Sequence, residues 1–420
     1  MNYLKEIETQ PANFQRYKKL TPEIWQQTIE LAKKAQGKKV IHINSTQLGG
    51  GVSELLRSQI PLERSLGVDS RWFIIKAPSR FFKITKEIHN LLQGESGILD
   101  ESEENFYLKW LDDKIAPSFK KLISQERPDI VIIHDPQPLP LIDYFSERTI
   151  PILRLHIDLS APNPNILKFF QPLIKKYTLV ILSHAIYRPA WLPAEKSRII
   201  RPAINPFTTK NHPMKKSEAK RILNLYGIKT DQPIVSQVSR FDPWKDPLGT
   251  YQAYRLAKNK IPHLQLILAG LRQAKDDPEA REIFRKVKKQ AGGDPDVFLF
   301  FNPAKLKGIS NDLFINAIYT ASAVIIQKST KEGFGLTVTE AMWKAKAVIG
   351  GQTKGLALQI KHGKNGYLVS SPEQLAKYIL RLLPNRPLRK TLGRAAHQTV
   401  KNKFLLSHLI LDHFKIYAQS

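Results

Sequence analysis

The sequence predicts an α/β protein built from two successive doubly wound domains, and three observations support this prediction. Its 420 residues are enough for two or three folded domains of roughly 150 residues each. Short β-branched runs alternate with helix-length segments, which is typical of α/β folds. These runs are continuously apolar, as expected for parallel strands that are buried on both faces.

The strands fall into two series. A polar leader with a predicted helix at residues 21–34 precedes the first series. The strands of the first series are predicted at residues 40–43, 72–75, 130–133, 152–155, 180–182 and 198–200. Those of the second series are predicted at residues 234–238, 264–268, 297–301, 323–326, 348–349 and 367–369, with helices between them such as 247–257 and 279–290. Two parallel sheets follow from this alternation.

A proline-rich segment at residues 202–216 separates the two series, because neither a helix nor a central strand tolerates its prolines well. The boundary is placed at Asn205. The predicted organisation is a leader at 1–37, a first Rossmann-like domain at 38–205, a second at 206–395 and a C-terminal helix at 396–420. That last helix is expected to begin near residue 383, run to residue 417 and belong to either domain.

Composition excludes several classes of protein. The chain has no cysteine, which excludes disulfides, thiolate catalysis and cysteine-ligated metal sites. No apolar run approaches the roughly 20 residues that a membrane-spanning helix needs. The amino terminus, MNYLKEIETQPANF, has no apolar block behind a basic start. We therefore expect a cytoplasmic protein.

The charge balance is strongly basic, with 65 Lys and Arg against 37 Asp and Glu, a net charge of +28. Such a balance is typical of proteins that bind nucleic acids or anionic membranes. The basic residues are dispersed in pairs, however, and no nucleic-acid motif accompanies them, so no nucleic-acid partner is expected. Residues 381–403 hold seven basic residues and no acid. They form either a solvated helical face or a contact for phosphate or anionic lipid, and a homodimer also stays open.

The most informative motif is EGFGLTVTE, which follows a predicted strand. Glu332 and Glu340 flank a glycine turn that opens a helix near Leu336. The first backbone N–H groups of that helix, those of Gly335, Leu336 and Thr337, would point toward a bound anion. Two glutamates at this spacing are common by chance, and the alternative is a pair of surface carboxylates.

Two cations, Arg240 and Lys245 in SQVSRFDPWKDP, follow the first strand of the second domain. Ligands of doubly wound sheets bind at the carboxyl ends of the strands, where both side chains are expected to lie. Two fixed cations beside a helix start can hold a diphosphate and stabilise charge as it leaves. The alternative is a pair of ordinary loop cations on a basic protein.

Together the two motifs resemble the donor-site signature of retaining GT-B glycosyltransferases. Further segments are similar to the trehalose synthase branch, which joins an NDP-glucose donor to free glucose: VIHINSTQLGGGVSELL, RWFII, FFKITKEIHNLLQG, HDPQP and RLHIDLSAPN. The resemblance extends from about Lys38 to the carboxyl terminus. It implies a GT-B fold, with two Rossmann-like domains that face each other across a cleft, the acceptor on the first and the donor on the second.

The resemblance also implies roles for individual residues. Arg240 and Lys245 would bind the donor diphosphate, Glu340 the ribose hydroxyls and Glu332 the hydroxyls of the transferred sugar. A carboxylate accepts hydrogen bonds from hydroxyls, whereas guanidinium and ammonium groups balance phosphate, so these roles are chemically sensible. His156 would lie near the donor sugar at the reacting centre. Without the resemblance, a histidine after a strand is more often a packed or capping residue.

First-domain residues are expected to bind the acceptor and to approach the donor. Four polar residues lie at strand ends there: Asn44, His134, Asp135 and Gln137. The resemblance places the acceptor beside them. For Asp135, a helix cap is an equal alternative. The loop Gly49-Gly50-Gly51 would let Gly50 and Gly51 approach a phosphate or sugar. It is not the dinucleotide fingerprint, because Val52 and Ser53 occupy the third glycine position, and a simple glycine turn is the alternative.

No cofactor and no metal are expected, since a nucleotide diphosphate sugar serves as donor substrate. Asp294 and Asp296 have a D-x-D spacing, but the glycines and proline around them indicate a turn. The chain departs from its relatives at Lys354 and Ala357, where a small Gly-Gly-Ile turn is usual, and at Ala347, which replaces a common proline.

The leading hypothesis is a retaining transferase that moves glucose from an NDP-glucose donor to a small sugar, with glucose as acceptor and trehalose as product. Two alternatives are kept. One is a phosphorylase on the same scaffold, which would have no ribose for Glu340 to bind. The other is a basic protein that binds nucleic acid or a membrane surface and whose transferase site has decayed.

Overall fold

The computed structural model describes residues 2–47, 50–271 and 278–420. The chain divides into two compact units, Met1–Pro202 with Leu406–Ser420, and Ala203–Leu405. The predicted boundary at Asn205 lies slightly beyond this division. Residues 396–405 lie in the second unit and the rest of the chain end lies in the first.

The first unit holds a seven-stranded sheet in its described residues, in the order β1-β3-β2-β4-β5-β6-β7. Its strands are β1 (Leu4–Glu6), β2 (Lys39–Asn44), β3 (Asp69–Ile75), β4 (Ile130–His134), β5 (Ile150–Leu155), β6 (Leu179–Leu182) and β7 (Ser197–Ile199). Its helices before residue 202 are α1 (Pro22–Lys34), α2 (Gly51–Ser65), α3 (Ser79–Leu92), α4 (Glu101–Trp110), α5 (Ala116–Glu126) and α6 (Pro164–Lys176). All neighbouring strands run parallel except β1.

Strand β1 is absent from the sequence-based prediction. It contains three residues, of which only Leu4 is buried, and it pairs antiparallel with β3, where Leu4 lies opposite Ile75. So short and polar a segment gives no apolar run. Its strand geometry comes from the edge of the sheet that it covers.

The second unit holds a six-stranded, all-parallel sheet in its described residues, in the order β10-β9-β8-β11-β12-β13. Its strands are β8 (Ile234–Val238), β9 (Gln265–Ala269), β10 (Val297–Phe300), β11 (Val324–Gln327), β12 (Ala347–Gly351) and β13 (Tyr367–Val369). Its helices are α7 (Lys216–Asn224), α8 (Pro247–Lys258), α9 (Pro278–Ala291), α10 (Asn311–Ala321), α11 (Leu336–Trp343), α12 (Lys354–Ala357), α13 (Pro372–Leu382) and α14 (Arg386–Lys403).

Every predicted strand of the two series corresponds to one of β2–β13, and the prediction of two doubly wound parallel sheets is confirmed. The central strands are buried along their whole length, as in β4 and β8. Helices cover both faces of such a sheet, which is why these strands carry apolar residues on both sides. Among the described residues, no helix is both long and apolar enough to cross a membrane.

The single last helix predicted at residues 383–417 is wrong. Helix α14 ends at Lys403, and a separate helix, α15 (Leu406–Tyr417), follows. Phe404 leaves the helical region with φ −130° and ψ 17°. Its carbonyl accepts a hydrogen bond from Ile204 N–H at 2.9 Å, and Leu405 forms a bridge with Ile204. This tertiary pairing replaces the helical hydrogen bonds at the break.

Candidate active site

In the second unit, strands β8 and β11 are neighbours, and the chain leaves them toward opposite edges of the sheet. Such a reversal of strand order opens a crevice at the carboxyl ends of the strands, where doubly wound folds bind ligands. The loop after β8 carries Arg240 and Lys245, and the loop after β11 carries Glu332. The predicted donor residues therefore lie on the two strands that border this reversal.

Lys245 and Glu332 form an ion pair across the reversal. The Lys245 Nζ lies 2.5 Å from Glu332 Oε2, and the two side chains are 20% and 10% exposed. Ser329 Oγ donates to the same carboxylate at 3.2 Å. Behind them, the buried Gln237 amide donates to the Lys245 carbonyl at 2.8 Å and accepts from Thr250 Oγ1 at 2.6 Å. The pair is thus held from beneath by the end of β8.

Arg240 occupies a more open position than Lys245. Its side chain is 54% exposed, and its guanidinium lies 2.9 Å from Asp242 Oδ2. Asp242 also accepts from Trp244 N–H at 2.9 Å, which fixes the turn that presents Lys245. Arg240 therefore lies at the rim of the loop, where its charge is largely solvated.

Helix α11 starts beside this pair. Gly335 precedes it in the left-handed region with φ 87°, and a Cβ there would lie 2.6 Å from Leu356 Cδ2, so glycine is required. No side chain caps the helix start, and its first N–H groups, including those of Leu336 and Thr337, lack intrahelical acceptors. Gln359 braces the turn by donating to the Gly335 carbonyl at 3.2 Å. A helix start in this state attracts anions.

Lys354, Ala357 and Ala347, which the sequence analysis singles out, lie in regular elements. Lys354 and Ala357 bound helix α12, and Ala347 begins β12. A Cβ on Gly355 would lie 2.3 Å from the Glu332 carbonyl oxygen. Helix α12 consequently packs directly against the Glu332 loop.

Glu340 lies one helix turn further into α11 and is buried. Its Oε1 lies 2.5 Å from Lys210 Nζ, and its Oε2 accepts from the Tyr319 hydroxyl at 3.0 Å. Neither partner is predicted from the sequence, because Lys210 falls in the proline-rich segment and Tyr319 in an apolar helix. The ribose contact of Glu340 stays a prediction.

The first unit has the same reversal of strand order, between β2 and β4. Asn44 ends β2, where its side chain accepts from Trp72 Nε1 at 2.8 Å and donates to the Thr46 carbonyl at 2.7 Å. Gly50 and Gly51 begin helix α2, which has no side-chain cap, and a Cβ on Gly50 would meet no atom within 4 Å. Gly49 lies outside the described residues.

Gln137 follows β4 and has an unusual environment. Within the part of the chain that the structure describes, its buried Oε1 has no hydrogen-bond partner. Buried polar atoms are almost always paired, and an exception needs an explanation. The acceptor contact of Gln137 stays a prediction.

Asp135 does not cap a helix, and that alternative is wrong. Its Oδ1 accepts from His156 N–H at 2.8 Å, and its own N–H donates to the Arg154 carbonyl at 2.9 Å. The residue has φ 64° and links the carboxyl ends of β4 and β5. Burial raises the pKa of Asp135 to about 7, against the opposing effects of the His156 N–H and the Arg154 charge.

Three histidines connect these strand ends to helix α2. His42 Nδ1 lies 3.0 Å from His134 Nε2, and His134 Nδ1 lies 3.0 Å from His156 Nε2. At the inner end, His42 Nε2 lies 3.2 Å from Glu63 Oε2. Burial and neighbouring cationic groups hold the pKa values of His134 and His156 well below the ordinary range. The acceptor contact predicted for His134 would require one of its two ring contacts to open.

The basic stretch at residues 381–403 lies on α13 and α14. Three of its cations, together with three from other elements, line a cavity of about 510 Å³; the six are Arg386, Arg389, Lys390, Lys216, Lys220 and Lys346. Burial, with Lys216, Lys344 and Arg389 nearby, lowers the pKa of Lys346 to about 8. Contact of this stretch with phosphate or lipid stays a prediction.

Asp294 and Asp296 form contacts with neighbouring protein groups. Lys258 Nζ lies 2.6 Å from Asp296 Oδ2 and 3.4 Å from Asp294 Oδ1. The Tyr254 hydroxyl also donates to Asp294 at 3.1 Å. Within residues 2–47, 50–271 and 278–420, no group of three or more His, Asp or Glu side chains is arranged to hold a metal ion.

Two family models match the chain. "Trehalose synthase, N-terminal domain" matches residues 42–189, and "Glycosyl transferases group 1" matches residues 219–399. The first therefore covers the histidine chain from His42 to His156, and the second covers the loops that hold Lys245 and Glu332.

Relatives that match most of this chain indicate the same family. Trehalose synthase of Pyrococcus horikoshii is 38% identical over 97% of this chain and 96% of its own length. Trehalose synthase of Thermococcus litoralis is 40% identical over 90% of this chain and 89% of its own length. A trehalose phosphorylase of Pleurotus pulmonarius is 28% identical over 82% of this chain but only 52% of its own length.

Solved GT-B structures share the fold. Sucrose-phosphate synthase of Thermosynechococcus elongatus superposes with a TM-score of 0.69 at 19% identity, over 91% of this chain and 98% of that one. Anabaena HepE, in complex with UDP and glucose, superposes with a TM-score of 0.67 at 15% identity, over 91% of this chain and 100% of that one. The predicted GT-B fold class is confirmed, and by its sequence and fold the chain belongs to the trehalose synthase family of GT-B glycosyltransferases.

Proposed function

We propose that this glycosyltransferase, which acts on trehalose-related sugars, moves glucose from a nucleoside diphosphate glucose to free glucose and retains the anomeric configuration. The observation that carries the proposal is the Lys245–Glu332 ion pair beside the uncapped start of α11. The names of the trehalose synthase relatives support the product, and the UDP and glucose bound to HepE support the class of donor.

The ion pair joins a phosphate-binding group to a sugar-binding group. A lysine ammonium has three hydrogens, so Lys245 contacts Glu332 and a phosphate oxygen at the same time. Glu332 then accepts hydrogen bonds from hydroxyls of the transferred glucose. The bond that breaks, between the anomeric carbon and the diphosphate oxygen, lies between these two residues.

Leaving-group charge is balanced by fixed positive groups. As the bond from the anomeric carbon to the diphosphate breaks, the negative charge on the leaving oxygen increases. Lys245 and the first N–H groups of α11 stabilise that charge, and Arg240 adds a more solvated cation at the rim. Such groups are effective because they are oriented before the reaction begins.

The acceptor hydroxyl attacks the anomeric carbon from the face that the diphosphate leaves. A new carbon–oxygen bond forms, the bond to the diphosphate breaks, and the hydroxyl proton passes to a leaving phosphate oxygen. This route retains configuration and requires no protein nucleophile. The orphan Gln137 Oε1 and the strand-end residues of the first unit position the acceptor, and Glu340 binds the ribose.

A phosphorylase is less well supported than a transferase. The phosphorylase relative is matched over about half of its length, whereas the trehalose synthases are matched almost end to end. A non-catalytic binding protein is likewise not favoured, because the family is one of enzymes and the Lys245–Glu332 pair is intact.

The test is product analysis. The protein is incubated with glucose and ADP-, UDP-, GDP- or TDP-glucose, and the products are identified by NMR and mass spectrometry. We expect α,α-trehalose and the free nucleoside diphosphate in equal amounts. A β-linked disaccharide would contradict retention. Glucose 1-phosphate formed from trehalose and phosphate, without turnover of any nucleotide sugar, would establish the phosphorylase instead.

A further inference from the structure

Glu63 is a buried carboxylate whose acceptor positions are all filled. Gln59 Nε2 and the Tyr417 hydroxyl donate to its Oε1 at 2.7 and 2.9 Å, and Ser70 Oγ donates to its Oε2 at 2.5 Å. His42 Nε2 completes the set at 3.2 Å. Burial raises the pKa of Glu63, but the contacts with His42 and Ser70 outweigh it and hold the pKa of the carboxyl below its ordinary value. The carboxylate is therefore ionised and acts only as an acceptor.

An ionised Glu63 determines where hydrogens lie on the neighbouring rings. His42 Nε2 must carry its hydrogen, because it faces an acceptor. In a neutral His42, Nδ1 is then a lone pair that accepts from His134 Nε2–H. By the same rule, His134 Nδ1 accepts from His156 Nε2–H. Each ring donates toward Glu63, and His156 Nδ1 is left with a lone pair.

A second hydrogen-bonded chain reaches Glu63 from Arg154. Arg154 NH1 lies 3.4 Å from His413 Nε2, and His413 Nδ1 lies 3.2 Å from the Tyr417 hydroxyl that donates to Glu63. Arg154 is itself buried. A cationic His42 would add a second buried positive charge to the same cluster, at a large desolvation cost.

We propose that His42 is neutral and that Glu63 acts through His42 and His134 to fix His156 as the Nε2–H tautomer, so that His156 Nδ1 accepts a hydrogen bond from a sugar hydroxyl. Glu63, His42 and His134 are then positioning residues, and His156 is the group that contacts substrate. The contact with a sugar rests on the proposed function, whereas the tautomer does not.

The hydrogen bonds from Glu63 to His156 can run in two directions, and only one of them leaves an acceptor at His156 Nδ1. If His42 gained a proton on Nδ1, the hydrogen on each ring would move to the other nitrogen, and His156 Nδ1 would become a donor. A sugar hydroxyl can donate or accept, but a donor-only or acceptor-only partner selects its orientation. The buried carboxylate therefore determines how the sugar is held, from two residues away.

The tautomer is measured on the wild-type protein without ligand. Long-range proton–nitrogen correlation spectra of protein labelled with ¹⁵N-histidine distinguish the two neutral tautomers and the imidazolium, and loss of a signal in His156→Gln identifies the ring. We expect His42, His134 and His156 all to be Nε2–H at neutral pH. A dominant Nδ1–H form, or an imidazolium, at His156 would overturn the proposal whether or not the protein transfers glucose.

The Glu63→Gln variant tests the cause. Its amide can present hydrogens to His42, so the Nδ1–H form of His156 should become populated. We expect kcat/KM for the nucleotide sugar to fall by about threefold to tenfold, since the contact between the neutral His156 ring and a sugar hydroxyl is lost, while the Kd for nucleoside diphosphate, which lacks the sugar, stays within about twofold. An unchanged His156 tautomer in this variant would exclude Glu63 as its determinant.

Tyr177→Phe is the matched control, because it removes a buried hydroxyl that donates to the Leu139 carbonyl at 2.7 Å in the same unit. It should lose a comparable hydrogen bond without changing the His156 signals or kcat/KM for the nucleotide sugar. A change of the His156 tautomer in this control would mean that a general loss of stability, rather than Glu63, determines the tautomer. If Glu63→Gln does not fold, the wild-type spectrum decides the assignment alone.

Discussion

In both sheets the candidate site lies where the strand order reverses, between β2 and β4 in the first unit and between β8 and β11 in the second. The side chains at the two reversals differ. The second unit presents a partly exposed ion pair, Lys245–Glu332, beside a helix start. The first presents buried histidine rings that end at His156. Under the proposed function, the same topology would hold a charged diphosphate at one reversal and an uncharged sugar at the other.

The difference lies in burial and in the physical cost of charge. A diphosphate arrives with its own charge, so cations that stay partly hydrated can bind it without a large desolvation penalty. A sugar offers only hydroxyls, and orientation then depends on fixed donors and acceptors. This comparison is open to experiment at each site.

The largest effect is expected for Lys245→Ala. Because the leaving diphosphate gains charge in the transition state, loss of this cation should reduce turnover by about a hundredfold or more. Lys286→Ala is the matched control, since Lys286 also lies 2.6 Å from a glutamate, Glu282, on an exposed helix face. Steady-state kinetics on both variants provide the measurement. Near-normal turnover in Lys245→Ala would show that the ion pair is not part of the donor site.

Asp135 tests the neutral character of the first unit. Its pKa is about 7 when folded and near 3.8 when unfolded, so the folded state binds more protons between these values. Stability contributed by the protonated form is lost as the pH rises through 7. Relative to Asp135→Asn, the wild type should therefore lose about 2 kcal/mol of unfolding free energy between pH 5 and pH 7.

Urea unfolding of both proteins across this pH range measures the difference. Asn keeps an acceptor for His156 N–H, so the backbone contact is preserved in the variant. A constant difference between wild type and variant from pH 5 to pH 7 would mean that Asp135 is already ionised in the folded protein.

The two glutamates of the second unit should separate nucleotide binding from sugar binding. Glu340→Ala should weaken binding of the free nucleoside diphosphate, whereas Glu332→Ala should leave it nearly unchanged and damage transfer. A hydrogen bond to a charged group contributes roughly 1.5 to 3 kcal/mol, so the two affinities should differ at least about tenfold. Calorimetry measures both, with Glu282→Ala as the reference. Equal affinities would show that at least one glutamate is misplaced.

The smallest effect is expected from chelators. Cations and the α11 start supply the positive field at the donor site, so EDTA should leave activity essentially intact. The measurement is turnover before and after dialysis against EDTA. Loss of activity that magnesium or manganese restores would contradict an ion-independent site.

The sequence predicts the strands of both sheets because each central strand is a continuous apolar run. It misses β1, whose only buried residue is Leu4, and the break at Phe404, since both depend on contacts with distant parts of the chain. Local patterns carry no signal for such pairings.

The same limit applies to the sites. Lys245 and Glu332 are predicted because both stand in recognisable motifs at strand ends. Lys210, the partner of Glu340, lies in a segment without any pattern. Glu63 and His42 are polar residues within amphipathic or apolar elements, and only the fold shows that they meet. A buried polar residue inside an apolar strand, such as His42 in VIHIN, is the one available clue.

Hydrogen exchange followed by mass spectrometry tests the division between the two sites most directly. Amide exchange is measured with ADP, UDP, GDP or TDP alone, and then with glucose added. The nucleotide that binds should protect the segments around Lys245 and Glu332, and glucose should add protection around His134 and Gln137. Protection of the first-unit segments by nucleotide alone, with those around Lys245 and Glu332 unchanged, would contradict the assignment of donor and acceptor.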